Sequence, residues 1–399
     1  MSEWKKVTLD QMGIISRGRS KHRPRNDARL FGGSYPFIQT GDIGSAGLYV
    51  TEYSQTYNEE GLAQSKLWEK DTLCITIAAN IADTALLAFP ACFPDSIMGF
   101  TPHKNIANVK FVKYCFDVLQ KDCQQISQGT AQDNLSWKKL STILFPCPPI
   151  EIQNKIATIL SRYDSLIENY QKQIKLLEES AQRLYKEWFI DLRFPGHENT
   201  KIVDGVPEGW DKKNVAEVGD VITGKTPSKV NNANFGCDIP FITIPDMHNG
   251  IYPTNSQYLS KFGADSQSRK YIPANSLIVS CIGTAGLVCI TKELCQTNQQ
   301  INSLILKDGS LLYYMYFLFL SLKEHLENIG SNGATMTNVN KSKFESIEII
   351  IPNKVLTNNF YTKVKDNFSK ILRLYNQISL LTEARDRLLP RLMNGEIEV

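Results

Sequence analysis

The chain has 399 residues, of which 42% are hydrophobic and 21% charged, so it is long and apolar enough for two or more ordinary globular domains. Its 44 basic and 41 acidic residues leave a net charge of only +3. That balance excludes a strongly basic or acidic chain, and the clustering of charge must decide whether nucleic acid is a partner.

Cysteine, histidine and hydropathy patterns give no sign of a metal site, a disulfide framework or a membrane span. The nine cysteines contain no Cys-x-x-Cys pair, and the five histidines are scattered. The longest apolar run, Leu311–Leu320, is too short to cross a bilayer, and the first residues lack the apolar stretch of a signal peptide. We therefore expect a cytoplasmic protein with reduced thiols, no metal and no membrane contact.

The sequence repeats itself. The segment Pro36–Ile38, followed by Asp42, recurs as Pro240–Ile242 followed by Asp246, at an offset of 204 residues (240 − 36). Further matched pairs are Pro148 with Pro352 at the same offset, and Trp4 with Trp210 at an offset of 206. One small insertion therefore separates two copies of one unit.

Each copy begins with a segment that is typical of an irregular α+β domain. Short β-branched runs, such as Thr72–Ile77 and Leu277–Ile282, alternate with polar loops, and helical stretches follow at Phe111–Ile126 and Leu311–Ile329. The chain is thus predicted to comprise a first domain over 1–149, a central helix over 150–190, a linker over 191–209, a second domain over 210–352 and a C-terminal helix over 353–399.

Two long helices follow the two domains, each with a seam of residues spaced three and four apart. The first seam comprises Leu160, Tyr163, Ile167, Tyr170, Ile174, Leu177, Ala181, Leu184 and Trp188, and the second Val364, Asn367, Ile371, Leu374, Ile378, Leu381, Arg385, Leu388 and Leu392. Two matched heptad seams predict that the helices pair as an antiparallel coiled coil, the alternative being ordinary amphipathic helices. Pro390 is predicted to break the second helix, with Asn394-Gly395 as its stop signal.

The segment Gly219–Thr226 fits the phosphate-binding P-loop pattern at every position. That chemistry needs a helix after the loop, and residues 227–234 show no helical apolar period. The matching segment of the first copy has Arg19 where the second has Lys225. A basic loop kept in both copies favours an external polyanion over a nucleotide. A P-loop ATPase remains an alternative that ATP turnover by the purified chain would reveal.

A run of basic residues lies beside the first loop, with Asp27 as the one acidic residue within it. In an extended segment their alternate spacing would direct most of the charges to one side. We predict DNA phosphate contacts here, a solvated surface being the alternative. The basic residues are Arg17, Arg19, Lys21, Arg23, Arg25 and Arg29, and the second loop offers Lys225, Thr226, Lys229 and Asn231.

Polar residues also cluster at the ends of predicted strands. Asn and Gln can form paired hydrogen bonds with adenine, so these positions are candidates for reading DNA bases. Turn formation is the alternative, because the same residue types favour turns. The candidates are Thr40, Asp42 and Asn80 in the first domain, and Thr243, Asp246, Asn298 and Gln299 in the second.

Catalytic signatures are missing from the sequence. Cys147–Ile150 is the nearest match to the [DNS]-Pro-Pro-[YF] motif of amino-methyltransferases, and it lacks both the polar and the aromatic residue. Neither Pro94-Asp95 nor Pro245-Asp246 is followed by the acidic-x-Lys of a nuclease metal site. The pattern predicts a chain without catalytic residues or a cofactor of its own.

Four segments resemble the specificity subunits of type I restriction–modification enzymes: Pro148–Asp164, Glu187–Asp191, Val206–Trp210 and Arg387–Ile397. The resemblance implies two target-recognition domains, each reading one half of a bipartite, asymmetric site in double-stranded DNA. It also implies that the helices dock two methyltransferase (modification) subunits, which use S-adenosylmethionine to methylate adenine N6. Translocase–nuclease (restriction) subunits, which use ATP and Mg²⁺, would join for DNA cleavage.

The second helix departs from this pattern, because it lacks a counterpart of Gln153 and carries Asn367 and Arg385 in its seam. The resemblance therefore does not imply equal docking on the two helices. Two alternative functions stay open at this point. One is the specificity subunit of a related enzyme that cuts beside its site, and the other is a coiled-coil scaffold with two protein-binding domains.

Overall fold

The structure, a computed structural model, describes residues 4–78, 80–127, 135, 137–248, 250–331 and 337–399. The chain divides into two compact units. Unit 1 comprises Met1–Lys172 with Asn376–Val399, and unit 2 comprises Gln173–Tyr375. Each unit contains one β-rich domain and segments of both long helices. The predicted division into five consecutive segments remains a prediction.

The domain of unit 1 has nine strands and five helices in its described residues. The strands are β1 Lys6–Val7, β2 Gly13–Arg17, β3 Phe31–Phe37, β4 Tyr49–Val50, β5 Gln55–Tyr57, β6 Leu73–Thr76, β7 Thr84–Leu87, β8 Ile97–Pro102 and β9 Phe145–Pro146. The helices are α1 Leu9–Met12, α2 Thr40–Ser45, α3 Glu59–Ala63, α4 Val109–Ser127 and α5 Trp137–Leu140. The main sheet has the order β2-β8-β6-β7-β4, and β1 pairs with β9 and β3 with β5.

The first of the long helices, α6, spans Ile150–Tyr185 and continues as one π-helical turn over Lys186–Ile190. After it, the strands of unit 2 are β10 Ile202–Val203, β11 Val206–Pro207, β12 Asp211–Asn214, β13 Gly219–Thr223, β14 Phe235–Ile242, β15 Tyr258–Leu259, β16 Leu277–Ser280, β17 Val288–Ile290, β18 Gln296–Thr297, β19 Ile301–Leu306 and β20 Glu348–Ile351. Its helices are α7 Val215–Val218, α8 Lys261–Asp265, α9 Leu312–Ser321, α10 Lys323–Ser331 and α11 Lys341–Glu345. The second long helix, α12, spans Lys354–Met393.

The main sheet of unit 1 is buried on both faces, because successive side chains of a strand point alternately into two apolar clusters. In β6, Leu73 and Ile75 belong to the cluster that includes Phe111 of α4, whereas Cys74 points to a second cluster with Trp68. All four residues of β6 are buried. This is the period-two alternation of a strand that packs on both sides.

The sheets confirm the sequence repeat. The order β2-β8-β6-β7 in unit 1 recurs as β13-β19-β16-β17 in unit 2. All the pairings within these four-strand sets are antiparallel. The copies therefore share one topology, and each places a strand (β2 or β13) and its following loop at one edge of the sheet.

The long helices run antiparallel to each other within each unit, as the matched seams predict. In unit 1, Arg385 of α12 lies 2.7 Å from Asp164 of α6, between the Nη1 and Oδ1 atoms. In unit 2, the ring centroids of Trp188 and Phe360 are 6.0 Å apart, and the Asn367 amide donates to the Leu177 carbonyl at 3.5 Å. Every predicted seam residue is buried or half-buried.

The prediction that Pro390 breaks the second helix is wrong. Helix α12 continues through Pro390 to Met393, and the Asn394 amide donates to the Pro390 carbonyl at 3.0 Å. Leu392 and Met393 are buried in the main core of unit 1, so packing fixes the last turn. Gly395, at φ +70°, then ends the helix in the left-handed conformation that glycine favours.

No helix in the part of the chain that the structure describes is long and apolar enough to span a membrane. The nine cysteines are all free thiols. Within those same described ranges, no group of three or more His, Cys, Asp and Glu residues could hold a metal ion.

Candidate nucleic-acid interface

The first basic loop, residues 17–29, begins where β2 ends and is fixed there by its backbone. The Gly18 amide donates to the Ile97 carbonyl at 2.8 Å, and the Arg19 amide donates to the Phe93 carbonyl at 3.1 Å. A Cβ atom on Gly18 would lie 2.2 Å from the Pro94 carbonyl oxygen. Only glycine allows this close approach, which anchors the loop to the turn before β8.

The second basic loop, residues 224–231, is anchored in the same way. The Gly224 amide donates to the Ile301 carbonyl at 3.1 Å, and the Lys225 amide to the Thr297 carbonyl at 2.9 Å. A Cβ atom on Gly224 would lie 2.1 Å from the Asn298 carbonyl oxygen. The two copies thus present a basic side chain from one shared backbone arrangement.

Three basic side chains of the first loop are exposed and unpaired. Arg17, Arg19 and Lys21 have no side-chain hydrogen bond or ion pair to any residue that the structure describes. Strand β2 ends at Arg17, residues 18–21 have no regular secondary structure, and bends and a turn follow over residues 22–26. A continuous extended segment over 17–29, on which the predicted one-sided array depends, is therefore not formed.

Other basic side chains of this loop are used to shape it. Arg23 donates from Nη1 to the carbonyls of Ser20, at 2.7 Å, and His22, at 2.8 Å. Arg29 pairs with Asp27 at 2.8 Å, and His22 lies at the same distance from that carboxylate. These bonds, above all the one from Arg29, hold the pKa of Asp27 below its usual range.

Arg25 has a partner that local sequence does not reveal. Its Nη2 lies 2.6 Å from the Oδ1 of Asp95, in the turn before β8. Arg23 Nη2 approaches the other oxygen of Asp95 at 3.8 Å. Asp27 is therefore not the only acid that opposes the basic run, because the fold brings Asp95 to the loop from 70 residues away.

In the second loop, Lys225, Lys229 and Asn231 are exposed. The Asn231 side chain caps the short 3-10 helix that follows. The Thr226 hydroxyl donates to Gln299 Oε1 at 2.7 Å, and Gln299 is itself exposed. This loop thus combines free cations with an amide that a neighbouring hydroxyl orients.

The P-loop pattern does not fold as a P-loop. Its first five residues, Gly219–Thr223, form strand β13, which pairs antiparallel with β19. The following residues are irregular up to a three-residue 3-10 helix at Asn232–Asn234. The order of strand, loop and long helix that cradles nucleotide phosphates is therefore not formed by this segment.

The strand-end aspartates have structural roles. Asp246 is 1% exposed and accepts from the Thr243 amide and hydroxyl, at 2.9 and 2.7 Å, and from the Ser256 amide at 3.0 Å. Burial opposes its ionisation, but the bonds from Ser256 and Thr243 outweigh this and lower the pKa of Asp246. The matching Asp42 accepts from the Gln39 amide at 2.7 Å. We therefore remove Asp246 from the base-reading candidates.

Asn298 is likewise a turn residue. It is 8% exposed and exchanges two hydrogen bonds with Gln300, at 3.0 and 3.1 Å. Thr40 and Thr243 are half-buried at the starts of short helices, whereas Asn80 and Gln299 are exposed. Asn298 therefore has the alternative role of forming a turn. Asn80 and Gln299, whose side chains are exposed, remain candidates for reading DNA bases.

Sequence reasoning missed the residues that support each loop from behind. The Ser65 hydroxyl donates to the Arg19 carbonyl at 2.7 Å, and the Gln267 amide donates to the Lys225 carbonyl at 2.9 Å. Lys66, also unpredicted, is exposed and lies 3.5 Å from the centroid of the Trp68 ring. Ser65 lies two residues after α3 and Gln267 two residues after α8. This matching position in the two copies is the sequence signal that could have identified them.

Comparison with known proteins agrees with the repeat. A family profile described as "Type I restriction modification DNA specificity domain" matches residues 1–179 and 207–379. The type I restriction enzyme HindI specificity subunit of Haemophilus influenzae is 32% identical, with both chains covered completely. The MjaIX specificity subunit of Methanocaldococcus jannaschii is 26% identical over all of this chain and 94% of that one.

A solved structure shows the same fold. The S subunit of a type I restriction–modification system from M. genitalium superposes with a TM-score of 0.65 at 16% identity. The match covers 98% of this chain and 96% of that chain. With both halves matched by the family profile and a relative of 32% identity along the full length, the chain belongs to the family of type I restriction–modification DNA specificity subunits.

Proposed function

We propose that this chain is the non-catalytic DNA-reading subunit of a type I restriction–modification complex. Each domain, called a recognition domain from here on, reads one half of a bipartite site in double-stranded DNA. The observation that supports this most strongly is the duplicated basic loop. Both recognition domains hold a loop by the same two backbone hydrogen bonds and expose cations from it.

The unpaired cations suit contact with DNA phosphates. A cation that already binds a protein carboxylate must give up that bond to reach a phosphate, whereas a free one releases only solvent and counterions. Arg17, Arg19 and Lys21 are exposed in the first loop and bind no side chain that the structure describes, and Lys225 and Lys229 are exposed in the second. Such contacts fix the position of a protein on the duplex without selecting a sequence.

Partner docking on the long helices is supported by matched apolar residues that lie outside the seam. Leu176 is 65% exposed and Leu380, at the offset of 204 residues, is 66% exposed. Because the two leucines occupy matching positions on the two helices, they would offer the same contact to two copies of one partner. We propose that these partners are modification subunits that bind S-adenosylmethionine and methylate adenine N6. Restriction subunits that use ATP and Mg²⁺ complete the complex, and this chain needs no cofactor itself.

Removal of the free cations tests the DNA contact. The variant Arg17→Ala/Arg19→Ala/Lys21→Ala should bind all duplexes more weakly, because each lost phosphate contact reduces the slope of log affinity against log salt by up to about one. Fluorescence polarisation between 50 and 200 mM salt, the range over which such contacts lose most affinity, measures both quantities. The matched control is Lys104→Ala/Lys121→Ala/Lys138→Ala, which removes the same charge from exposed positions elsewhere in the domain. Equal slopes for the two variants would contradict phosphate contact by the loop.

A further inference from the structure

The turn that receives each basic loop carries a different side chain in the two copies. Asp95 and Gln299 occupy the same position of the repeat, at the offset of 204 residues. The loop backbone donates to the carbonyl of Phe93 in unit 1 and of Thr297 in unit 2. Asp95 and Gln299 each lie two residues after that carbonyl. One scaffold therefore presents a carboxylate in unit 1 and an amide in unit 2.

In unit 1 this position orients an arginine. Asp95 and Arg25 form an ion pair at 2.6 Å, with side chains that are 39% and 48% exposed. The pair uses Nη2 of Arg25, and its other N–H groups have no partner among the residues that the structure describes. A guanidinium held at one edge presents its remaining donors in a fixed direction, and paired donors match the O6 and N7 acceptors of guanine.

In unit 2 the same position orients an amide. The Gln299 Oε1 atom accepts from Thr226, which leaves the two N–H groups of the amide and the second lone pair of the oxygen for another ligand. A donor and an acceptor side by side match N7 and N6 of adenine. The loop residue that corresponds to Thr226 is Ser20, whose buried hydroxyl has no hydrogen-bond partner among the residues that the structure describes. The orienting contact is thus specific to unit 2.

Comparison of the two copies distinguishes residues that hold the fold from residues that could read DNA bases. Asp42 and Asp246 are identical in the two copies and bind backbone amides of their own domain. Asp95 and Gln299 differ and lie beside the loop with exposed polar atoms. Two halves of an asymmetric site require different readers on a common frame, which is the arrangement found here.

We propose that Arg25, positioned by Asp95, reads a guanine in the half-site of the first recognition domain. In the same way Gln299, positioned by Thr226, reads an adenine in the half-site of the second. This inference rests on the proposed function, and it adds to that function the identity of one base in each half-site. It assigns the free cations Arg17, Arg19 and Lys21 to phosphates and the held side chains to bases.

Methylome mapping in cells that carry the chain with its modification subunits tests the assignment. Arg25→Ala and Arg25→Lys should each make one guanine of one half-site degenerate, with roughly 10- to 100-fold loss of discrimination at that base. The other half-site should stay unchanged. Gln299→Glu should replace an adenine by a cytosine in the other half, because a carboxylate accepts from cytosine N4. The control Lys104→Ala removes an exposed cation of the same recognition domain that lies outside both basic loops, so the motif should stay as in the wild type.

The outcomes separate the inference from the proposed function. If the wild-type complex methylates no bipartite motif, the proposed function fails and the inference fails with it. If the wild-type motif is present and the Arg25 and Gln299 variants leave it intact, the reader assignment is overturned while the function stands. Uniform loss of methylation in both Arg25 variants, at wild-type melting temperature, would also overturn it, because Arg25 would then supply affinity and not discrimination.

Discussion

The contacts that hold α6 and α12 together differ between the two units. In unit 1, Arg385 of α12 binds Asp164 of α6 at 2.7 Å, and the Tyr114 hydroxyl of α4 donates to the same carboxylate. Asp164 is only 6% exposed. Burial opposes the charge of Arg385, but the bonds to Asp164 and to the adjacent Asp386 together outweigh it and raise the pKa of the guanidinium. A buried charge is thus satisfied by two partners from two other elements.

At the matching positions of unit 2, offset by 204 residues, the side chains are apolar. They are Leu318, Phe368 and Ala181 in place of Tyr114, Asp164 and Arg385. Phe368 is fully buried, and its ring centroid lies 4.0 Å from that of Tyr313 and 5.9 Å from that of Tyr316. One stacked and one edge-on aromatic contact therefore take the place of the ion pair.

The difference shows what a polar interruption in a helix seam contributes. An apolar seam gains stability from burial but packs with many partners, whereas a buried ion pair offsets its desolvation cost only in one arrangement. Within unit 1, the side chain of Arg385 meets a buried carboxylate at Asp164. We therefore expect the ion pair to favour one register of α6 against α12 in unit 1, and the aromatic cluster to stabilise unit 2 by burial.

The largest expected effect follows loss of one charge. Arg385→Ala leaves Asp164 buried without its cation and should cost about 3–5 kcal/mol of unfolding free energy. Hydrogen-exchange mass spectrometry should show faster exchange over residues 156–170 and unchanged exchange over residues 176–190.

The matched control for that variant introduces the apolar side chains that occupy the matching positions of unit 2. The triple variant Tyr114→Leu/Asp164→Phe/Arg385→Ala should recover most of the lost protection, because it leaves no buried polar group unpaired. Equal exchange in Arg385→Ala and wild type would show that the ion pair does not stabilise unit 1.

A smaller effect is expected from Tyr114→Phe, which removes one hydroxyl and leaves the ion pair intact. The carboxylate of Asp164 then lacks one donor in a buried setting, at a cost of about 1–3 kcal/mol. Chemical denaturation measures this, with the exposed Tyr53→Phe as the control for loss of a hydroxyl. Identical midpoints for Tyr114→Phe and Tyr53→Phe would remove Tyr114 from the polar cluster.

The smallest effect concerns Glu178 of unit 2, whose buried Oε1 has no hydrogen-bond partner in the described part of the chain. Burial raises the pKa of Glu178 from 4.5 to about 7. Because the folded state holds the proton of Glu178 more tightly, protonation stabilises the fold at pH values below the unfolded-state pKa. This stabilisation is lost as the pH rises through about 7. Glu178→Gln should therefore gain melting temperature relative to wild type between pH 5 and pH 8.

The control for the pH experiment is Glu179→Gln, which removes the same charge from a neighbour that lies 3.6 Å from Arg183. Its melting temperature relative to wild type should change less between the two pH values. A pH response of Glu178→Gln no larger than that of Glu179→Gln would refute the role of burial.

Period and repetition made the architecture predictable from the sequence. Heptad spacing identified the seams, and the repeated segments at Pro36 and Pro240 identified two copies of one domain. Pro390 misled because local propensity was outweighed by the packing of Leu392 and Met393 in the core of unit 1. Local helix rules carry little weight where tertiary burial fixes the last turn.

The candidate interface was predictable only in part. Arg17, Arg19 and Lys21 are exposed, as a charge run indicates. The bond from Thr243 to Asp246 has a local signal, the Thr-x-x-Asp spacing of a capping box. The burial of Asp246 and the bond from Ser256 could not be recognised, because they depend on the tertiary fold. For the same reason the bond from Arg25 to Asp95 has no local signal.

The most direct test of the account is an exchange of one recognition domain. Residues 205–352 are replaced by the corresponding segment of a relative that recognises a different DNA sequence, and methylated adenines are mapped in cells that also carry the modification subunits. The account predicts that one half of the methylated motif changes to that of the relative and the other half stays the same. A change in both halves, or in neither, in a complex that still methylates DNA would contradict independent reading by the two domains.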